Sequence, residues 1–120
     1  MFKNFLLVGI GGAIGSVLRY LFTQMIKSGS FPLATFTVNI IGSFLIGIFI
    51  ALSIKQSEFN SSWKIFLATG ICGGFTTFSS FSIENLQLIQ QGKWMTSLLY
   101  IAGSILLGVI ATAIGYKIAG

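Results

Sequence analysis

Four long apolar stretches, separated by short polar ones, dominate the hydrophobic pattern of this chain. Uncharged residues run from Asn4 to Leu18, from Ser28 to Ile54, from Ile65 to Ile83 and from Trp94 to Tyr116. A helix needs about 20 apolar residues to cross a bilayer core. The pattern therefore predicts four transmembrane helices, at about residues 5–25, 31–54, 63–89 and 94–117. The first helix continues past Arg19, which places a cation within membrane depth.

The composition supports a single all-α membrane domain over residues 1–120. Hydrophobic residues make up 54% of the chain and charged residues only 8%, whereas a soluble domain usually carries about 25% charged residues. Lipid must cover the rest of the surface, so we expect a multi-pass membrane protein. The chain has one cysteine, no histidine and two acidic residues. It therefore lacks the parts for an intramolecular disulfide, a metal-dependent active site or a nucleophilic triad, and we predict that it is not an enzyme.

The net charge of +5 does not indicate nucleic-acid binding, because the seven cations are dispersed along the chain and form no patch. Their distribution instead bears on how the chain is oriented in the membrane. With four spans, one side of the membrane receives Lys3, Lys55, Lys64 and Lys117, and the other receives Arg19, Lys27 and Lys93. Lysine and arginine bias sets orientation, and four against three is a weak bias. Insertion in both orientations is compatible with this sequence.

A polar, glycine-rich interruption lies in the third span, from Gly70 to Phe81. Two adjacent glycines lower helix propensity by about 1 kcal/mol each, and the β-branched Thr76 and Thr77 add a further preference against helix. We therefore predict a helix break at residues 73–76. Unpaired backbone at membrane depth occurs only where it is buried in protein or lines a cavity, and freed carbonyls there can coordinate cations. The break could thus form an ion site without any charged side chain.

Two stripes follow the predicted break at helical spacing. Phe78 and Phe81 share one face, while Thr77, Ser80 and Glu84 form a polar line on another. The rings could contact lipid or pack against other helices. The polar line could form a hydrated track, although Glu84 could equally lie at the membrane interface.

Three further features have alternatives that these residues alone leave open. Asn39 lies near the middle of the second span, where its amide needs a partner on a neighbouring helix or on a permeating species. Arg19 could extend to the lipid headgroups or could place a positive charge at the mouth of an anion path. Gly11 and Gly15, four residues apart, predict a close packing face on the first helix.

Three segments together resemble the Fluc (CrcB) family of fluoride channels. They are Gly11-Gly12-Ala13-Ile14-Gly15-Ser16-Val17-Leu18-Arg19-Tyr20, Asn39 with Gly42, and the run from Gly70 to Glu84 with its pattern GxxTTFSxFSxE. The resemblance covers essentially the whole chain. It implies a channel of the inner (plasma) membrane, which exports fluoride passively from the cytoplasm and lowers its toxicity. It also implies an antiparallel, dual-topology homodimer in the lipid bilayer, with two pores and a structural sodium ion (Na+) at the dimer centre.

The resemblance also implies roles for individual residues. It assigns Asn39, Phe78 and Phe81 to the fluoride pore, Thr77, Ser79, Ser80 and Glu84 to the polar line, Arg19 to a vestibule, and the carbonyls of Gly73 and Thr76 to sodium. Ser80 stands where the family usually has threonine, which keeps the hydroxyl. In the fourth span the family's pore position aligns with Ile105. Tyr100 and Ser104 are the alternatives, and Ser104 is the hydroxyl that we include in the pore.

Two other classes of membrane protein share some of these features. A small multidrug transporter also has four spans and dual topology, but its proton-coupled export would use a carboxylate in the first span, which this chain lacks. A non-conducting structural oligomer would account for the small-residue faces, but not for the interruption or the polar line.

Overall fold

The computed structural model of the chain describes residues 1–56 and 61–120, and the regular structure within them is helical throughout. The elements are α1 (Phe2–Met25), α2 (Leu33–Lys55), α3 (Ser61–Lys64), a π-helical segment (Ile65–Cys72), α4 (Gly73–Phe75), α5 (Phe78–Gln90) and α6 (Trp94–Ala119). The third span, Ser61–Gln90, comprises the elements from α3 to α5. In the described residues four spans, α1, α2, the third span and α6, are long and apolar enough to cross a membrane, as the hydrophobic pattern predicts.

Local sequence explains where several of these helices begin and end. The second helix begins at Leu33, directly after Pro32, and the hydroxyl of Ser28 accepts the backbone N–H of Ala34 at 3.1 Å. At the same end of the bundle, Gly92 has a φ of 77°, which favours glycine. The N–H of Lys93 then reaches the carbonyl of Leu88 at 2.8 Å. This is the Schellman arrangement that ends a helix, and it turns the chain from α5 into α6.

The first helix packs against the π-helical segment and α4 through glycines. A Cβ atom at Gly11 would lie 2.6 Å from the carbonyl oxygen of Phe66, and one at Gly15 would collide with the carbonyl of Ile71. Gly74 in turn lies against the backbone of Gly12. In lipid, such close approach of backbones drives helix association. The packing face expected at Gly11 and Gly15 is therefore present.

The second helix packs chiefly against α6, and this pair also uses glycine. Gly47 lies against the backbone of Thr112, and Gly115 lies against the carbonyl of Phe44. The hydroxyl of Thr112 donates to the carbonyl of Ser43 at 2.9 Å. The bundle thus consists of two tight pairs, α1 with the first half of the third span and α2 with α6. The other half of the third span, α5, packs against α6.

The helix break lies at Thr76 and Thr77, slightly later than the predicted range of 73–76. Gly73 and Gly74 stay helical within α4, whereas Thr76 (φ −86°, ψ 159°) and Thr77 (φ −150°, ψ 122°) are extended. Gly74 is needed for close packing against Gly12, and that contact offsets the low helix propensity of glycine. The β-branched threonines prefer extended backbone and form the break. The π-helical segment before it was not predicted. π-Helical segments are rare, and those that do occur are often found at functional sites.

We expect Gly11→Ala to destabilise the protein even though alanine favours helix. The new methyl group would meet the carbonyl of Phe66, and overpacking of this kind costs about 1–3 kcal/mol. Gly9→Ala is the matched control, because no atom lies within 4 Å of a Cβ atom there. Thermal unfolding in detergent should show a lower midpoint for Gly11→Ala than for Gly9→Ala. Equal midpoints would contradict this account of the packing.

Candidate ion pathway

A groove of about 430 Å³ lies beside the helix break. It is lined by residues from α2, the third span and α6, namely Asn39, Gly42, Ser43, Ile46, Ala68, Thr69, Cys72, Gly73, Thr76, Thr77, Phe78, Phe81, Ser104 and Ile105. These residues include no acidic or basic side chain. The groove thus offers amide, hydroxyl and aromatic groups at membrane depth without a full charge.

The amide of Asn39 replaces the helical hydrogen bonds that the break removes. Its Nδ2 donates to the carbonyl of Thr77 at 3.1 Å, and its Oδ1 accepts the N–H of Thr77 at 2.8 Å. Both backbone groups of an extended residue are therefore satisfied by one side chain, as backbone at membrane depth requires. Asn39 thus joins α2 to the third span and still has a second N–H on Nδ2 for another acceptor.

The break also frees carbonyl groups at the end of α4. In a continuous helix the carbonyl of Gly73 would accept the N–H of Thr77, which here binds Asn39. The carbonyl of Gly74 accepts Nε of Arg19 at 3.1 Å. Within the described residues, Gly73 and Thr76 retain carbonyls without an N–H partner.

Arg19 contacts the helix break from α1 and does not line the groove. It is half-buried in α1, and its guanidinium meets the carbonyl end of the first half of the broken span. A cation near the C-terminal end of a helical segment is favourable, because the carbonyl dipoles there carry a partial negative charge.

The two phenylalanines of α5 differ in their surroundings. Phe78 is 78% exposed at the edge of the groove, while Phe81 is half-buried and packs on Tyr100 with ring centroids 4.8 Å apart. The rings of Phe78 and Phe81 are 5.7 Å apart and tilted by 40°. Both therefore border the same stretch of the groove, one fixed by α6 and the other open to the outside.

The residues of the predicted polar line take separate positions. Thr77 is the N-cap of α5, since its Oγ1 accepts the N–H of Ser80 at 3.2 Å. The same Oγ1 lies 3.3 Å from the hydroxyl of Ser79. The carboxylate of Glu84 accepts hydroxyls from Thr35 at 2.7 Å and from Tyr100 at 2.8 Å. It borders a second pocket near the turn between α5 and α6, apart from the groove.

Among the three alternatives in the fourth span, Ser104 and Ile105 line the groove and Tyr100 does not. The hydroxyl of Ser104 is buried and has no hydrogen-bond partner within the described residues. A buried hydroxyl without a partner is costly, so this position suits a ligand or a second chain. Ile105 is 61% exposed. Tyr100 is buried beneath Phe81, with its hydroxyl on Glu84.

The structure thus divides the residues that the resemblance selects. Those that line the groove are Asn39, Gly73, Thr76, Thr77, Phe78, Phe81 and Ser104, and those that lie outside it are Arg19, Ser79, Ser80 and Glu84. Sequence reasoning did not identify Thr69 and Cys72 as lining residues. They belong to the π-helical segment, and the spacing of an α-helix does not describe their face. Ser43 had a usable signal, because it follows Asn39 by one helical turn.

The fold and the groove define a multi-pass helical membrane protein with an uncharged path beside a broken helix. Residues 6–116 match the model of the family described as CrcB-like protein, Camphor Resistance (CrcB). The chain belongs to this family, in agreement with the resemblance noted from its motifs.

Bacterial relatives match over nearly their whole length. A protein of Azobacteroides pseudotrichonymphae genomovar. CFP2 is 50% identical over 119 residues, which cover 97% of this chain and 95% of the relative. One of Flavobacterium psychrophilum is 47% identical, covering 98% and 97%, and one of Helicobacter pylori strain G27 is 46% identical, covering 96% and 92%. Each of these relatives is named "Fluoride-specific ion channel FluC".

Family membership and the four apolar helices together identify a multi-pass membrane protein of the bacterial plasma membrane. The named relatives are ion channels, and the chain is accordingly not an enzyme. Both findings agree with the predictions from the sequence.

We expect Asn39→Leu to destabilise the protein strongly, because it keeps the size of the side chain but leaves the N–H and the carbonyl of Thr77 unpaired. Each such buried group costs about 1–3 kcal/mol. The control is Ser53→Ala, which removes a hydroxyl bonded only to the carbonyl of Ile50 in its own helix. Unfolding by a denaturing detergent should show that Asn39→Leu lowers the free energy of unfolding several times more than Ser53→Ala does. Similar losses for the two variants would contradict the role given to Asn39.

Proposed function

We propose that this protein is a fluoride-selective channel, which exports fluoride passively from the cytoplasm and so lowers its toxicity. The observation that carries the proposal is the uncharged groove beside the break. It gathers Asn39, Thr77, Phe78, Phe81 and Ser104 around one path. The names of relatives 46–50% identical to this chain support the same permeant ion.

The groups in the groove suit a small, strongly hydrated anion. A pore must replace the water around the ion with donors and yet release it readily. The second N–H of Asn39 and the free hydroxyl of Ser104 can donate hydrogen bonds. The edges of Phe78 and Phe81 carry the positive part of the ring quadrupole. Since none of these groups carries a full charge, none would trap the anion.

The proposal includes an antiparallel homodimer with two pores. In one chain the groove is open along α5 and α6, with Phe78 78% and Ile105 61% exposed beside it. A second copy that covers this side would close the path. The near balance of cations on the two sides of the membrane, four against three, supports copies inserted in opposite orientations.

A structural sodium ion at the dimer centre is the last part of the proposal. The carbonyls of Gly73 and Thr76 remain without N–H partners in the described part of the chain, and oxygen atoms are the ligands that hard cations prefer. A cation bound there would supply positive charge beside the groove. The chain's own residues stabilise the break. Asn39 binds the backbone of Thr77, and Arg19 binds the carbonyl of Gly74.

We expect purified protein in liposomes to release fluoride much faster than chloride. An electrode measurement of anion efflux, with potassium carried by valinomycin, tests this directly. Protein-free liposomes give the background leak. Absent fluoride efflux, or equal efflux of fluoride and chloride, would refute the channel proposal.

In the same assay, Phe78→Ile and Phe81→Ile should slow fluoride efflux while the protein remains folded, since isoleucine has no ring edge to face the anion. Phe5→Ile is the matched control, because Phe5 is 66% exposed on α1 and lies outside the groove. Unchanged efflux in all three variants would remove the rings from the mechanism.

We expect a tag at the C-terminus to be found on both sides of the membrane. In both inside-out and right-side-out vesicles, a membrane-impermeant protease should remove the tag from some of the molecules and leave it on the others. Cleavage in only one preparation would mean a single orientation and would contradict the antiparallel dimer.

A further inference from the structure

We propose that Asn85 and Ser97 are a positioning pair. They set the rotation of α5 against α6 and thereby the place of the Phe81 ring in the groove. The proposal rests on the channel function, in which Phe81 faces the permeating ion. Neither Asn85 nor Ser97 lines the groove, and Asn85 lies outside the run of residues that resembles the family pattern.

The rotation of α5 depends on few contacts. It packs against α6 and, over a short stretch, against α2, while its other side is exposed. The exposed side carries Ser79, Ser82, Ile83, Leu86 and Gln87. The hydrophobic effect is non-directional, so apolar packing tolerates small rotations of the helix. Directional polar contacts with α6 restrict the rotation more sharply.

Asn85 and Ser97 form such a contact. Asn85 is only 7% exposed and Ser97 only 2%. The hydroxyl of Ser97 donates to Oδ1 of Asn85 at 2.9 Å. Nδ2 of Asn85 donates to the carbonyl of Phe81 at 2.8 Å. Because both ends of the amide are bound, the side chain has one orientation. At a buried site, water cannot easily take the place of these hydrogen bonds.

Ser97, the α6 member of the pair, lies on the same face of α6 as Tyr100, which contacts the ring of Phe81. Within α5 the amide of Asn85 binds the carbonyl of Phe81, one turn earlier, so Ser97 holds that turn against α6 through Asn85. Tyr100, one turn beyond Ser97 on α6, contacts the ring of Phe81 at a centroid distance of 4.8 Å. A ring centre lies about 6 Å from its helix axis, so a rotation of about 20° would move it by about 2 Å. Such a shift would break the contact with Tyr100 and change the ring edge that the groove presents.

Glu84 alone does not define the rotation. Its carboxylate binds Thr35 on α2 and Tyr100 on α6, and the hydroxyls could follow it over a range of angles. Asn85, the next residue, adds a contact about 100° further around the helix. Two contacts at different angles are sufficient to fix a helix about its axis.

The first test separates the number of working channels from their speed. Ser97→Ala removes the hydroxyl and little else, Ser97→Thr keeps a hydroxyl, and Ser53→Ala is the control far from the groove. When liposomes contain on average less than one channel each, the fraction that loses its fluoride counts working channels. The rate of loss reports the throughput of each.

We expect Ser97→Ala to lower the rate severalfold, because the Phe81 ring would leave its place in the groove, with the working fraction unchanged. Ser53→Ala should keep the parent rate, and Ser97→Thr, which keeps the hydroxyl, should lie closer to the parent rate than Ser97→Ala does. An unchanged rate in Ser97→Ala, or a loss confined to the working fraction, would assign the pair a structural role only and overturn the proposal.

The second test does not need transport, so it remains decisive if the parent protein conducts no fluoride. A 4-fluorophenylalanine placed at position 81 reports the surroundings of that ring by 19F NMR. We expect the resonance to shift or broaden in Ser97→Ala and to stay in place in Ser53→Ala. Identical resonances in both variants would overturn the positioning role, whereas a parent without fluoride flux would overturn only the proposed function.

Discussion

The paired hydrogen bonds between the Asn39 amide and the backbone of Thr77 are the contact on which the rest of the structure depends. Both groups of Thr77 lie in an extended segment at membrane depth, where lipid offers no hydrogen-bond partner. By binding them, Asn39 allows the third span to break with both backbone groups of Thr77 satisfied. It also connects α2 to the start of α5 and places itself on the wall of the groove.

Glycine and threonine have different tasks around that break. Gly74 gives α4 the close approach to Gly12 that locks the first half of the third span onto α1. Thr76 and Thr77 then leave the helix, and the hydroxyl of Thr77 caps the beginning of α5. Arg19 binds the carbonyl of Gly74. The interruption is therefore held from both neighbours, by a cation on α1 and an amide on α2.

Charge is kept out of the groove and placed around it. The guanidinium of Arg19 is bound to a carbonyl, and the carboxylate of Glu84 is bound by two hydroxyls beneath the ring of Phe81. The groove itself retains dipoles and ring edges. For the proposed permeation of fluoride, this division matters because a full charge on the path would slow the release of the ion.

The sequence by itself determined the four spans, the membrane location, the packing face at Gly11 and Gly15 and the family, because apolar length, small-residue spacing and motifs are local properties. Only the tertiary structure decided the position of the break and the partners of the polar side chains. Asn39 and Thr77 are separated by 38 residues, Thr35 and Glu84 by 49, and Arg19 and Gly74 by 55. The faces of the π-helical segment also escaped prediction, since its turn differs from 3.6 residues. Such contacts arise because buried polar groups must find partners, and helix packing decides which are in reach.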